Sequence, residues 1–214
     1  MISPKNTEER TPRRYSSARR DRQAGQTRTE ILAAAARLFA RGGWAGTTLA
    51  AIAAEAEVAV ETIYSGFKSK KVLLQAAMDF AIAGDQEPIA LMDRDQARQL
   101  TEVPLELRLQ QSIEWIGGIY RGPVVGVWFA MLEAAASDPE VATWCDEHEQ
   151  RRRDTTAALI PMALDKAIEP ATLDAIWAVS SMEIYAKLTR QRAWTHTQWR
   201  DWLTSTIQEL ARSG

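Results

Sequence analysis

Apolar residues recur along most of this chain at spacings of three and four, the period of a helix buried along one face. Ile31, Ala35, Leu38 and Phe39 form the first such stripe. Thr27 precedes it with Glu30 three residues on, a capping-box spacing, and Gly42-Gly43 follows as a stop. A second helix is predicted after Thr47-Thr48, burying Leu49, Ile52, Ala53 and Ala56. A short third runs from about Ala59 to Phe67 with Val58, Ile63 and Phe67 inward. Ser69 caps a fourth that carries Leu73, Ala77, Phe80 and Ala81 on one face. Prolines punctuate the rest. Helices are predicted over Pro104–Arg121, over Pro123–Ser137, from Pro139 to about Ala167 with a kink at Pro161, and from Pro170 through Leu188. The last follows Thr197, with Trp199, Leu203, Thr206, Ile207 and Leu210 as its stripe. No segment alternates for long enough to make a sheet, so the expected fold class is all-α.

The second and third helices, joined by a tight turn, have the layout of a helix-turn-helix. In that motif one helix braces the other, whose outer side chains reach base edges in the major groove. Val60, Glu61, Thr62, Tyr64, Ser65 and Gly66 are free to face outward while Ile63 and Phe67 hold the core.

Charge strengthens this picture. The formal net charge is −2, but residues 1–75 carry 13 Lys/Arg against 7 Asp/Glu and the remainder 13 against 21. A basic first third joined to an acidic remainder suits a protein that meets a polyanion with one end. Part of the excess lies in residues 1–26, which hold Pro4, Pro12, Gly25 and seven Lys/Arg. With so little to bury, that segment is expected to be a disordered basic arm.

Composition also excludes. The longest uncharged run, Gly42 to Ala54, is too short to span a membrane, and the basic N-terminus has no apolar run behind it. A single cysteine, Cys145, fits a reducing cytoplasm. Cys145 and His148 stand three apart without further ligands, so neither a metal nor a cofactor is expected. No nucleophile elbow, His-Glu-x-x-His, Walker loop or dinucleotide fingerprint occurs, which argues against an enzyme. Glu147 with Arg151 and Glu149 with Arg153 read as i, i+4 pairs on a solvated face.

The run Gly46-Thr47-Thr48-Leu49-Ala50-Ala51-Ile52-Ala53, then Val58, Thr62-Ile63-Tyr64, Phe67-Lys68-Ser69-Lys70 and Leu73-Leu74, resembles the N-terminal domain of TetR-family repressors. Ile184-Tyr185, Arg192-Ala193-Trp194-Thr195 and Trp199 to Leu203 are similar to the last two helices of many members. The resemblance implies a DNA-binding domain at 27–72 and a helical effector-binding and dimerisation domain at 73–214. It implies a homodimer on double-stranded DNA, a repressor released from a palindromic operator by a small hydrophobic ligand. A helical scaffold that binds only protein is the alternative, and it would not need the basic first third.

By the same resemblance Thr47, Thr48, Thr62, Tyr64, Lys68 and Lys70 hold DNA, mainly at phosphates, and Val60, Glu61 and Ser65 read sequence. The fourth helix would link DNA to a ligand pocket formed by Phe80, Trp115, Tyr120, Trp128, Met131 and Trp144. Ile176, Trp177, Ile184, Trp199, Leu203 and Ile207 would pair with their mates as a four-helix dimer interface. Three positions depart from the family pattern. Glu57 stands where the turn commonly has glycine, Ala59 where a Ser or Thr caps the recognition helix, and Gly66 where a bulky residue precedes Phe67.

Overall fold

The computed structural model describes residues 14–213, with side chains from Arg20 onward, and all its regular structure is helical. The first helix, α1, spans Arg14–Gly42 and so begins well before Thr27. Residues 14–26, expected as part of a disordered arm, are helix; the remainder of that arm lies outside the described residues. Arg, Gln and Ala propagate a helix once a packed half nucleates it, and here Ile31, Leu32, Ala35 and Phe39 supply the packing. Gly43 ends α1 with φ +66°, its N–H donating to the Phe39 carbonyl at 3.0 Å.

The next three helices follow the predicted stripes closely. They are α2 (Leu49–Glu55), α3 (Val60–Phe67) and α4 (Lys70–Ala83). Thr48 Oγ1 accepts from the Ala51 N–H at 3.0 Å, and Ser69 Oγ accepts from Val72. Phe39, Ile52, Ile63, Phe67 and Leu73, all 2% exposed or less, form the core under these helices. Burying side chains of this size contributes about 1.5–3 kcal/mol each.

Beyond them lie α5 (Asp95–Leu100), α6 (Leu105–Arg121), α7 (Val124–Ala135), α8 (Pro139–Leu164), α9 (Pro170–Val179), α10 (Met182–Ala186) and α11 (His196–Ser213). The sequence pattern missed α5 because only Ala97 and Leu100 are buried in it, too few to make a stripe. The helix predicted from Pro170 through Leu188 is broken. Ser181 Oγ accepts from the Ile184 N–H at 3.3 Å and restarts the chain as α10, which runs into a π turn at Lys187–Gln191. The expected solvated pairs on α8 are also rearranged: Arg152 takes Glu149 at 2.8 Å, and Arg153 takes Asp174 of α9 at 2.7 Å.

Helix α7 is the centre of the molecule, packed by α1, α4 and α8. Val124, Val125, Val127, Trp128, Ala130, Met131 and Ala134 are all buried. A Cβ on Gly126 would sit 2.6 Å from the backbone of Ala40, so this glycine is what lets α1 and α7 touch.

Candidate DNA interface and ligand cavity

Helix α3 divides its side chains as a groove-reading helix must. Ile63 and Phe67 point into the core; Glu61, Thr62, Ser65 and Gly66 are exposed, and Tyr64 is 53% exposed. Val60 is half-buried. Arg28 closes the seam between α1 and α3. Its guanidinium lies 4.2 Å from the centre of the Phe67 ring, and its Nη1 donates to the Gly66 carbonyl at 3.4 Å. Sequence reading missed Arg28, because its partners lie 38 and 39 positions away.

The departures from the family pattern take concrete form here. Glu57 makes the turn between α2 and α3 with φ 54°, a conformation glycine adopts freely and other residues at a cost of about 1–2 kcal/mol. Ala59 occupies the N-cap of α3 and supplies no side-chain bond to it. Lys68, exposed beyond α3, has φ 62°.

Two expected DNA contacts are spent inside the chain. Thr47 is 3% exposed, and its hydroxyl lies 3.1 Å from the Leu38 carbonyl and 2.8 Å from that of Gly43. It braces the turn and has no face for DNA. Lys70 Nζ lies over the Trp44 ring, 4.0 Å from its centre, and donates to the Trp44 carbonyl. Desolvation pulls the Lys70 pKa down, partly opposed by the Glu133 carboxylate.

Glu133 is the firmest polar tie between α7 and the turn ahead of the helix-turn-helix. Its carboxylate accepts from the Trp44 N–H at 2.7 Å and the Ala45 N–H at 3.1 Å. A Cβ on Gly43 would come within 2.6 Å of Glu133 Oε2 and displace that side chain; the φ of +66° is what favours glycine there. Beside it Lys71 of α4 bonds Asp138 at 3.0 Å and Glu140 at 2.6 Å at the start of α8.

Behind this headpiece lies a cavity of about 820 Å³ between α4, α6, α8, α9 and α11. Its volume falls in the ordinary range for a small-molecule site. Of the residues the resemblance placed at a pocket, Phe80 and Tyr120 line this cavity. Trp115, Trp128, Met131 and Trp144 do not. Trp128 and Met131, each 2% exposed, are packed inside the protein, and Trp128 Nε1 donates to Glu183 at 2.6 Å. Trp115 and Trp144 are half-buried away from the cavity lining. The Tyr120 hydroxyl donates to the Ser180 carbonyl at 3.0 Å, and burial pushes its pKa up to about 12.

The expected dimer stripe is redistributed in the same way. Ile176, Trp199, Leu203 and Ile207 are 0–3% exposed in the single chain and line the cavity. They cannot lie on an outer face. Only Trp177 and Ile184 of the six remain half-exposed, and Trp177 carries the Arg152 guanidinium 4.9 Å from its ring centre.

His148, 6% exposed, also borders the cavity, and neither ring nitrogen has a protein partner. Among the described residues no cluster of three or more His, Cys, Asp or Glu could hold a metal ion, and no helix is long and apolar enough to cross a membrane. Burial raises the Cys145 thiol to about 11.

Residues 31–77 match the family model described as bacterial regulatory proteins, tetR family. The chain carries the tetR-family N-terminal domain. Its tetR-type headpiece therefore comprises the second half of α1, the helix-turn-helix α2–α3 and the start of α4. Two solved structures have a similar fold. A TetR-family member from Streptomyces coelicolor A3 is 22% identical, covering 84% of this chain and 96% of that one, with a TM-score of 0.56. The multidrug binding protein EbrR, solved with imidazole, is 20% identical over 98% of this chain and 97% of its own, with a TM-score of 0.55. No curated protein matches the sequence.

Proposed function

We propose that this protein is a transcriptional regulator that binds a roughly palindromic DNA site as a homodimer and is released from it by a small apolar ligand. The observation that carries the DNA-binding reading is the exposed row Glu61, Thr62, Tyr64 and Ser65 on a helix held by Ile63 and Phe67, within the tetR-family match. Ligand control is supported by the 820 Å³ cavity and by the position of α4, which starts at the headpiece and places Phe80 on the cavity wall. A structural neighbour named as a multidrug binding protein, solved with imidazole, supports a small-molecule ligand.

Homodimerisation uses the outer faces of α9–α11, where Trp177, Ile184, Trp202 and Leu210 are half-exposed in the single chain. Selection from random duplex DNA with the purified protein tests this reading. The expected sites are inverted repeats whose half-sites lie about one helical turn, or a multiple of one, apart. Selected sites with no internal symmetry, bound by a monomer, contradict the dimer; no enrichment at all contradicts the regulator.

A further inference from the structure

Most of the polar groups around the cavity are already committed. Ser112 Oγ donates to the Arg108 carbonyl at 2.8 Å and the Tyr120 hydroxyl to Ser180 at 3.0 Å. Arg152 is held by Glu149 and by the Trp177 carbonyl at 2.8 Å. Two are not. His148 of α8 has both ring nitrogens unpaired, and Trp199 of α11 has an unpaired indole N–H; both side chains line the cavity, and both are more than nine-tenths buried.

A buried polar group without a partner costs about 1–3 kcal/mol, so such groups are rare outside sites that use them. Neither His148 nitrogen has a bond to lose when the ring turns about its Cβ–Cγ bond. The ring packs on Trp128 at 4.9 Å between centres, which keeps it at the wall of the cavity. Burial and the neighbouring Arg151 and Arg152 charges hold the imidazole neutral, so it can donate from one nitrogen and accept at the other.

We infer that the cavity takes a largely apolar molecule bearing a hydroxyl, and that His148 is the residue that selects for that group. The hydroxyl is the simplest group that can donate to or accept from a neutral imidazole. Ile113, Ile116, Leu159, Ile160, Leu203 and Ile207 supply the apolar wall for the remainder. An apolar ligand without the hydroxyl leaves His148 unsatisfied, and a site built around a polar partner discriminates against such an analogue. This deepens the ligand-controlled reading above and rests on the cavity being that regulator's ligand site.

The test is a matched pair of probes, 1-hydroxypyrene and 1-methylpyrene, titrated into the full chain and followed by energy transfer from tryptophan. The wild type is expected to bind the hydroxyl compound about tenfold tighter, the value of one good hydrogen bond. His148→Leu should bring the two affinities within about twofold while still binding 1-methylpyrene, which shows that the cavity survives. Equal affinities in the wild type, a preference unchanged in His148→Leu, or binding of neither probe overturns the inference. A mobility shift on the selected duplex is run in parallel. Loss of DNA binding with the hydroxyl preference intact strikes the regulator reading and leaves the His148 site standing.

Discussion

Glu57 and Ala59 are two places where the headpiece is less stable than its architecture allows. Glu57 holds φ 54°, and Ala59 caps α3 without a side-chain oxygen. Glu57→Gly relieves the left-handed strain but makes the unfolded chain more flexible, for a net gain of up to about 1 kcal/mol. Ala59→Ser adds a cap worth about 1 kcal/mol. Both should raise the thermal midpoint; the double variant should gain nearly the sum if the two sites act independently. A lower midpoint for Glu57→Gly would mean that the Glu57 side chain contributes more than its backbone costs. Both residues stand out in the sequence as departures from the family pattern it resembles. Thr47 does not: its hydroxyl is spent on Leu38 and Gly43, and a neighbour nine positions away is invisible to a motif.

His148 supplies a pH dependence. Burial first, then the Arg151 and Arg152 charges, push its pKa down from 6.5 to about 4. A depressed histidine favours the unfolded state once that state can take a proton and the folded state cannot. Stability is therefore full above about pH 6.5 and falls as pH drops toward about 4, by roughly 2 kcal/mol between pH 7 and pH 5. Urea titrations at those two pH values should show this loss in the wild type and a much smaller one in His148→Leu. An equal loss in both would place the acid sensitivity elsewhere.

At the scale of elements, the stripes of α1 to α4 are legible because each buries one face at helical spacing, whatever covers it. The stripe of α11 was equally visible, but not what it packs against. Trp199, Leu203 and Ile207 mark a buried face whether the cover is a second subunit or the chain's own cavity, and here it is the cavity. Trp128 and Met131 show the reverse: they sit on the expected helix but on its core side.

The contact most able to transmit a change from α7 to the headpiece is Glu133, whose carboxylate holds the Trp44 and Ala45 N–H groups from 89 and 88 positions away. These are charge-assisted bonds at a partly hydrated site. Glu133→Ala should cost about 1 kcal/mol and speed amide exchange at Trp44 and Ala45 several-fold more than elsewhere in the headpiece. Glu133→Gln should fall between. Unchanged exchange at both amides would show that α7 grips the headpiece through packing at Gly126 and Ala40 instead.

At the scale of the whole molecule, α4 and α7 join two jobs. Helix α4 runs from Lys70, bound to the Trp44 turn, to Phe80 on the cavity wall, and α7 carries Glu133 at the headpiece and borders the cavity through Val124. A ligand that releases DNA can shift such a system only by its difference in affinity for the two states, typically about 1–3 kcal/mol, and bound DNA would then weaken that ligand by the same factor. All of this rests on α3 reading DNA. The most direct measurement is a fluorescence-anisotropy titration of the selected duplex, at several salt concentrations, with wild type, Tyr64→Ala and Glu61→Ala. Tyr64→Ala is predicted to weaken binding to the selected site and to scrambled duplex alike, by about tenfold. Glu61→Ala is predicted to alter the ratio between the two, by about 1–3 kcal/mol at the base it contacts. If both variants bind the selected duplex as the wild type does, α3 is not the DNA-reading helix and the central claim is wrong.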